Sequence, residues 1–87
     1  MNRDEVKMAL LDVLVAMELI TPSEKSAALG EGAADIHFGG LGIDSLAVVD
    51  MCVAVEEKIG RELHVEEIID NPTVDLLAAH LGSAADK

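Results

Sequence analysis

The chain has 87 residues, 51% of them hydrophobic and 26% charged, with a formal net charge of −11. That length supports one small domain with a modest core, because such a chain buries only about 60% of its unfolded surface, and it leaves little room for an enzyme's own substrate pocket. Seventeen acidic residues against six basic ones exclude a phosphate-neutralising patch for nucleic acid and an anionic membrane surface, and favour partners with basic docking surfaces.

The first element is predicted from about Arg3 to Ile20. Val6, Leu10, Val13, Leu14 and Met17 recur at helical spacing and make one apolar stripe. Asp4 and Glu5 suit the positive end of the helix dipole. Thr21-Pro22 is expected to stop the helix, because the residue before proline avoids the α region. The charged, acidic start Met1-Asn2-Arg3-Asp4-Glu5 does not fit a signal or transit peptide.

From Thr21 to Ile43 the chain is irregular and carries Pro22 and five glycines. Ser23 to Leu29 suits one or two helical turns with Ser23 as the cap. Long loops in compact domains are uncommon, and many are functional. Ile36, Phe38, Leu41 and Ile43 are its candidate anchors to the core.

A third element is predicted from Ser45 to Ile59, with Asp44 or Ser45 as cap and Gly60 as stop. Two stripes coexist on it. Val48, Met51, Cys52, Val55 and Ile59 face a core formed with Val6, Leu10, Leu14, Met17 and Leu77. Leu46, Val49 and Val53, among Asp50, Glu56 and Glu57, form a second stripe that one docked helix does not need. These six are the candidate partner-docking residues. Cys52, the single cysteine, cannot form an internal disulfide. The expectation is a cytoplasmic protein whose Cys52 is an inert core thiol.

Val65 to Asp70 reads as a short helix. Asn71-Pro72 signals a turn, and Thr73 caps a last helix to about Leu81, with Val74, Leu77, Ala78 and Leu81 on one face and Gly82 as its stop. The fold class expected is all-α: a small bundle of three main helices plus one short helix, with a long loop between the first and second main helices. His37, His64 and His80 are far apart in sequence, and no metal site is expected. A nucleophilic serine would need a base, for which these three histidines are the candidates, but there is no nucleophile elbow and a bundle this small leaves little room for an oxyanion hole, so no catalytic residue is assigned.

The stretch Phe38-Gly39-Gly40-Leu41-Gly42-Ile43-Asp44-Ser45-Leu46 puts a serine where a glycine-rich loop meets a helix N-terminus. An exposed hydroxyl there suits attachment of a phosphate-bearing group, which the helix dipole and free backbone N–H groups favour. No Lys-Ser/Thr pair follows the glycines, so the loop is not a P-loop.

Leu41-Gly42-Ile43-Asp44-Ser45-Leu46 resembles the attachment motif of acyl carrier proteins, commonly Leu-Gly-x-Asp-Ser-Leu. The resemblance continues through Asp50, Glu56-Glu57 and Ile59, through Leu63 to Ile69, and through Asn71-Pro72-Thr73-Val74, Leu77 and Leu81, as often seen in polyketide and peptide synthase carriers. It implies one carrier domain over residues 1–87. Ser45 would carry a 4′-phosphopantetheine arm, transferred from coenzyme A by a magnesium-dependent phosphopantetheinyl transferase that Asp44 helps to guide. The arm's thiol would hold cargo as a thioester, and the protein would shuttle it as a monomer between loading enzymes and downstream synthases without catalysing a reaction itself. Ala47 stands where fatty-acid synthase carriers often have an acid. The expectation is therefore a free-standing acyl carrier of polyketide or specialised fatty-acid biosynthesis. The alternative is an aminoacyl or peptidyl carrier loaded by an adenylating enzyme, since Asp44 fits both. A remote alternative is an unmodified acidic interaction module.

Overall fold

Among the described residues of the computed structural model five α-helices follow one another: α1 (Arg3–Ala16), α2 (Pro22–Ala28), α3 (Ser45–Ile59), α4 (Val65–Asp70) and α5 (Val74–Ala85). The structure describes residues 2–85. Met1, part of the acidic start read above, and residues 86–87 of the expected single domain lie outside the described residues. Among the described residues there is no strand, only an isolated antiparallel bridge between His37 and Thr73. The all-α bundle expected from the sequence is the fold observed.

Helix α1 starts at a reciprocal cap. The Asn2 side chain accepts the Glu5 N–H at 2.9 Å, and the Glu5 carboxylate accepts the Asn2 N–H at 3.1 Å. This satisfies two of the amides that every helix start leaves without an intrahelical acceptor. Its end corrects the expectation of a helix to Ile20. The α-helix finishes at Ala16, and Glu18 turns the chain with φ 61°, so that Leu19 N–H reaches the Leu14 carbonyl at 2.9 Å. Thr21-Pro22 therefore opens the next helix instead of closing the first. Thr21, not Ser23, caps α2: its hydroxyl accepts the Glu24 N–H at 3.1 Å, and Glu24 returns the bond to Thr21 N–H at 2.9 Å. Proline at the first helical position has no N–H to leave unpaired.

The core forms where α1 meets α5 and α3. Leu10, Leu11, Leu14, Met51, Val55, Leu77 and Leu81 are its largest fully buried side chains, and each contributes roughly 1.5 to 3 kcal/mol of burial. The expected core is corrected at its margins. Val48, Ile59 and Met17 are only partly buried at its edge, whereas Ala9, Leu11, Leu63 and Ile68, outside the expected set, are inside. Leu11 is buried because α1 packs on several helices at once, so its apolar face is wider than one stripe. Of the four loop anchors, Phe38 is buried, and Ile36, Leu41 and Ile43 are partly buried against the core.

Gly82 does not stop α5, which runs on to Ala85. A Cβ at Gly82 would lie 2.7 Å from the Arg3 Cα, so this glycine serves the close approach of α5 to the start of α1. By contrast, Gly60 does end α3 in the left-handed conformation, with φ 72°. No helix is long and apolar enough to cross a membrane among the described residues.

Candidate functional site

The loop before α3 is tied down at both ends of its approach. Phe38 N–H donates to the Pro72 carbonyl and Val74 N–H to the Ile36 carbonyl, each at 2.9 Å. Phe38 to Leu41 then form a 3-10 turn, whose first residue is buried, and Gly42 exits it with φ 69°. That left-handed step costs glycine little and would strain any side chain with a Cβ. It aims the chain at Asp44, in extended conformation, from which α3 begins.

Asp44 is the cap. Its carboxylate accepts the Ala47 N–H at 2.8 Å, and its carbonyl accepts the Val48 N–H at 3.0 Å. The sequence left the cap open between Asp44 and Ser45, and the geometry gives it to Asp44. Ser45 is then the first helical residue and is exposed. Its hydroxyl is not needed for capping. The amides of Ser45 and Leu46 have no intrahelical acceptor at this position. An exposed primary alcohol beside the positive end of a 15-residue helix suits a phosphodiester, so the residues present fit a phosphopantetheine arm.

The second stripe of α3 points outward. Leu46 is 76% exposed, and Val49 and Val53 are about half exposed at 50% and 51%. Asp50 and Glu57 are exposed beside them, and the 3.6-residue period puts Leu46, Asp50, Val53 and Glu57 along one line of the helix. Glu56, for which a docking role would predict exposure, differs from these two acids. It lies at the flank of the stripe and is partly buried. Sequence reasoning missed Ile69 on α4, 68% exposed. The signal available was the Ile68-Ile69 pair, since a six-residue helix docked on one side buries one member and presents the other.

Cys52 lies on the opposite side of α3 from Leu46 and is buried. Burial pushes its thiol pKa up, and the charges of Glu56, Glu67 and Glu66 act in the same direction. The thiolate is thus disfavoured, as an inert core cysteine requires. Among the described residues no group of His, Cys, Asp and Glu is arranged to hold a metal ion.

The profile of the family described as "Phosphopantetheine attachment site" matches residues 26–81. This span holds the glycine-rich loop, Asp44, Ser45, and all of α3 and α4. The chain belongs to this family of carrier proteins, whose cofactor is a covalently bound 4′-phosphopantetheine. Among curated proteins it is similar to "Nonribosomal peptide synthetase 2" of Gibberella zeae, with 35% identity over 80 residues. That alignment covers 92% of this chain and 2% of the relative, so the chain spans a small fraction of the protein it matches. No solved structure matches.

Proposed function

We propose that Ser45 carries the 4′-phosphopantetheine arm and that the arm's cargo is an aminoacyl or peptidyl group, held as a thioester during nonribosomal peptide assembly. The observation that carries the cargo reading is the 35% identity to a nonribosomal peptide synthetase across 92% of this chain. It shifts the balance from polyketide or fatty-acid synthesis, the first expectation from the sequence, to the alternative stated beside it. The Gly42-Ile43-Asp44-Ser45 spelling still accommodates an acyl carrier, and that is the second reading.

In this account the whole chain acts as one carrier unit. Asp44 fixes the start of α3, keeps Ser45 exposed and presents an acid to the transferase beside the hydroxyl. The arm supplies a thiol for the thioester. The protein's own residues supply position: a rigid helix start for the arm, and the Leu46, Val49 and Val53 stripe with Asp50, Glu57 and the flank of Glu56 for docking on basic enzyme surfaces. A tethered cargo reaches successive active sites at high effective concentration, so each docking event can stay brief. Loading, elongation and release belong to partner enzymes, and the carrier itself performs no catalysis.

The cargo reading is tested by accurate intact mass of the protein isolated from its host, with the arm and its load ejected as one fragment. A nitrogen-containing aminoacyl or peptidyl mass is expected. A fatty-acyl or ketide mass would overturn it in favour of the second reading.

A further inference from the structure

The loop that delivers Ser45 carries Gly39, Gly40 and Gly42, and glycine loses more backbone freedom on ordering than any other residue. The two ends of this loop are well held. Phe38 is buried and its N–H is bonded to Pro72, while Asp44 caps α3. Between them, both amides of the Gly39-Gly40 pair end on one residue. The Gly40 N–H donates to the His37 carbonyl at 3.0 Å, and the Gly39 N–H donates to Nδ1 of the His37 ring at 3.2 Å.

The ring thus caps the 3-10 turn from Phe38 to Leu41 as an Asn side chain caps an α-helix. To accept, Nδ1 must carry no proton, so the neutral ring has its proton on Nε2. The backbone of His37 is itself fixed. It pairs with Thr73 in the antiparallel bridge, and it is flanked by the bonds from Val74 N–H to the Ile36 carbonyl and from Phe38 N–H to the Pro72 carbonyl, each 2.9 Å. The start of α5 therefore sets His37, and the His37 ring sets the turn. Gly39 gives the ring room, since a Cβ there would stand 3.3 Å from Nδ1. His37 is exposed and outside the core, so its side chain can be changed with the packing intact.

We propose that His37 is a positioning residue for attachment of the arm: by capping the turn, its ring orders the glycine loop and presents Ser45 to the transferase in a defined place. This rests on the reading of Ser45 as the attachment site. In the transfer, the Ser45 hydroxyl oxygen bonds to the phosphorus next to the pantetheine of coenzyme A and the pyrophosphate linkage breaks. Adenosine 3′,5′-bisphosphate leaves, and the hydroxyl proton passes to a base of the transferase. A carrier whose competent loop is only partly populated binds more weakly by that fraction. Losing the cap therefore acts on KM for the carrier and leaves kcat in place.

The test compares His37→Ala with His37→Asn, which keeps an acceptor at the same place in the side chain, and with Thr21→Ala, which removes the cap of α2. Steady-state transfer from coenzyme A is measured with magnesium and a broad-specificity transferase. KM for His37→Ala should be about fivefold above wild type, the equilibrium effect of one typical side-chain cap, with kcat unchanged. His37→Asn and Thr21→Ala should stay close to wild type. A wild-type KM in His37→Ala, an equal rise in Thr21→Ala, or no rescue by His37→Asn would overturn the proposal. A second readout needs no transferase. In the unmodified chain, the Gly39 amide of His37→Ala should exchange with solvent at least about threefold faster by NMR than in wild type or His37→Asn. Equal exchange in His37→Ala and wild type would also overturn the proposal. A wild-type chain that takes up no arm would refute the reading of Ser45, and exchange would still decide whether the ring orders the loop.

Discussion

The carboxylate of Asp35 accepts the backbone N–H of Asp75 at 3.0 Å, across forty residues of chain. With the Thr73 hydroxyl taking Leu76 N–H at 3.1 Å and the Ile36 carbonyl taking Val74 N–H at 2.9 Å, it completes the start of α5. The loop that leads to Ser45 is therefore also the cap of the last helix. Lys7 on α1 reaches the Asp75 carboxylate at 2.8 Å and lessens the charge gathered there. Asp35→Ala should cost about 0.5 to 2 kcal/mol, the usual worth of a side-chain cap. Urea unfolding of the two proteins measures it.

Gly82→Ala should destabilise the domain by roughly 1 to 3 kcal/mol, because a Cβ would stand 2.7 Å from the Arg3 Cα and the two helices would have to part. Helix propensity alone predicts the opposite sign, since alanine favours a helix interior over glycine by about 1 kcal/mol. Thermal unfolding of the single variant decides which effect wins.

The two glycines Gly60 and Gly82 mark what the sequence could and could not tell. Each follows an apolar helical pattern, and each reads as a stop. Gly60 is one; Gly82 answers to a backbone on another helix, which no local window contains. The same limit hid Asp35, whose partner is forty residues away, and Leu11, whose burial depends on how many helices surround α1. Short-range chemistry was legible in part: Thr73 is a cap, Val65 to Asp70 is a helix, and Val74, Leu77, Ala78 and Leu81 are buried on one face as their spacing indicates, whereas the cap of α3 stayed open between Asp44 and Ser45 and that of α2 is Thr21 instead of Ser23. The outward stripe of Leu46, Val49 and Val53 was legible too, because α3 carries more apolar residues than one buried face can use. Whether a carrier holds an acyl or an aminoacyl group depends on the loading enzyme, and a motif shared by both classes does not encode it.

Glu67 gives a pH dependence of definite sign. Burial alone would raise its folded pKa, but the bonds from His64, His80 and Arg61 outweigh burial and lower it, so its contribution to stability is full above the unfolded value of about 4.3 and is lost as pH falls through the folded value. Glu67→Gln should be about 1 to 2 kcal/mol less stable than wild type near pH 7. The gap should narrow as pH falls below the unfolded value. Paired thermal melts across acid pH measure it, and a gap independent of pH would show that the charge on Glu67 contributes nothing.

Docking is best probed at the two acids that are exposed on the stripe. Asp50→Lys with Glu57→Lys should slow transfer to or from partner enzymes by roughly an order of magnitude at low salt, with the loss shrinking as salt screens the charges. Glu18→Lys with Glu31→Lys, exposed and outside α3 and its stripe, should do much less. Glu56 is left untouched because it is partly buried, and a reversal there would confuse docking with packing. Transfer rates for both double variants at low and high salt make the comparison.

The central claim is that Ser45 is the attachment site of the arm, and one measurement addresses it. The unmodified protein is incubated with coenzyme A, magnesium and a broad-specificity phosphopantetheinyl transferase, and its intact mass is recorded beside that of Ser45→Ala. Because Asp44 supplies the cap, the alanine variant should stay folded. The account predicts one added phosphopantetheinyl unit on the wild type and none on Ser45→Ala. An added unit on Ser45→Ala, or none on the folded wild type, would contradict it.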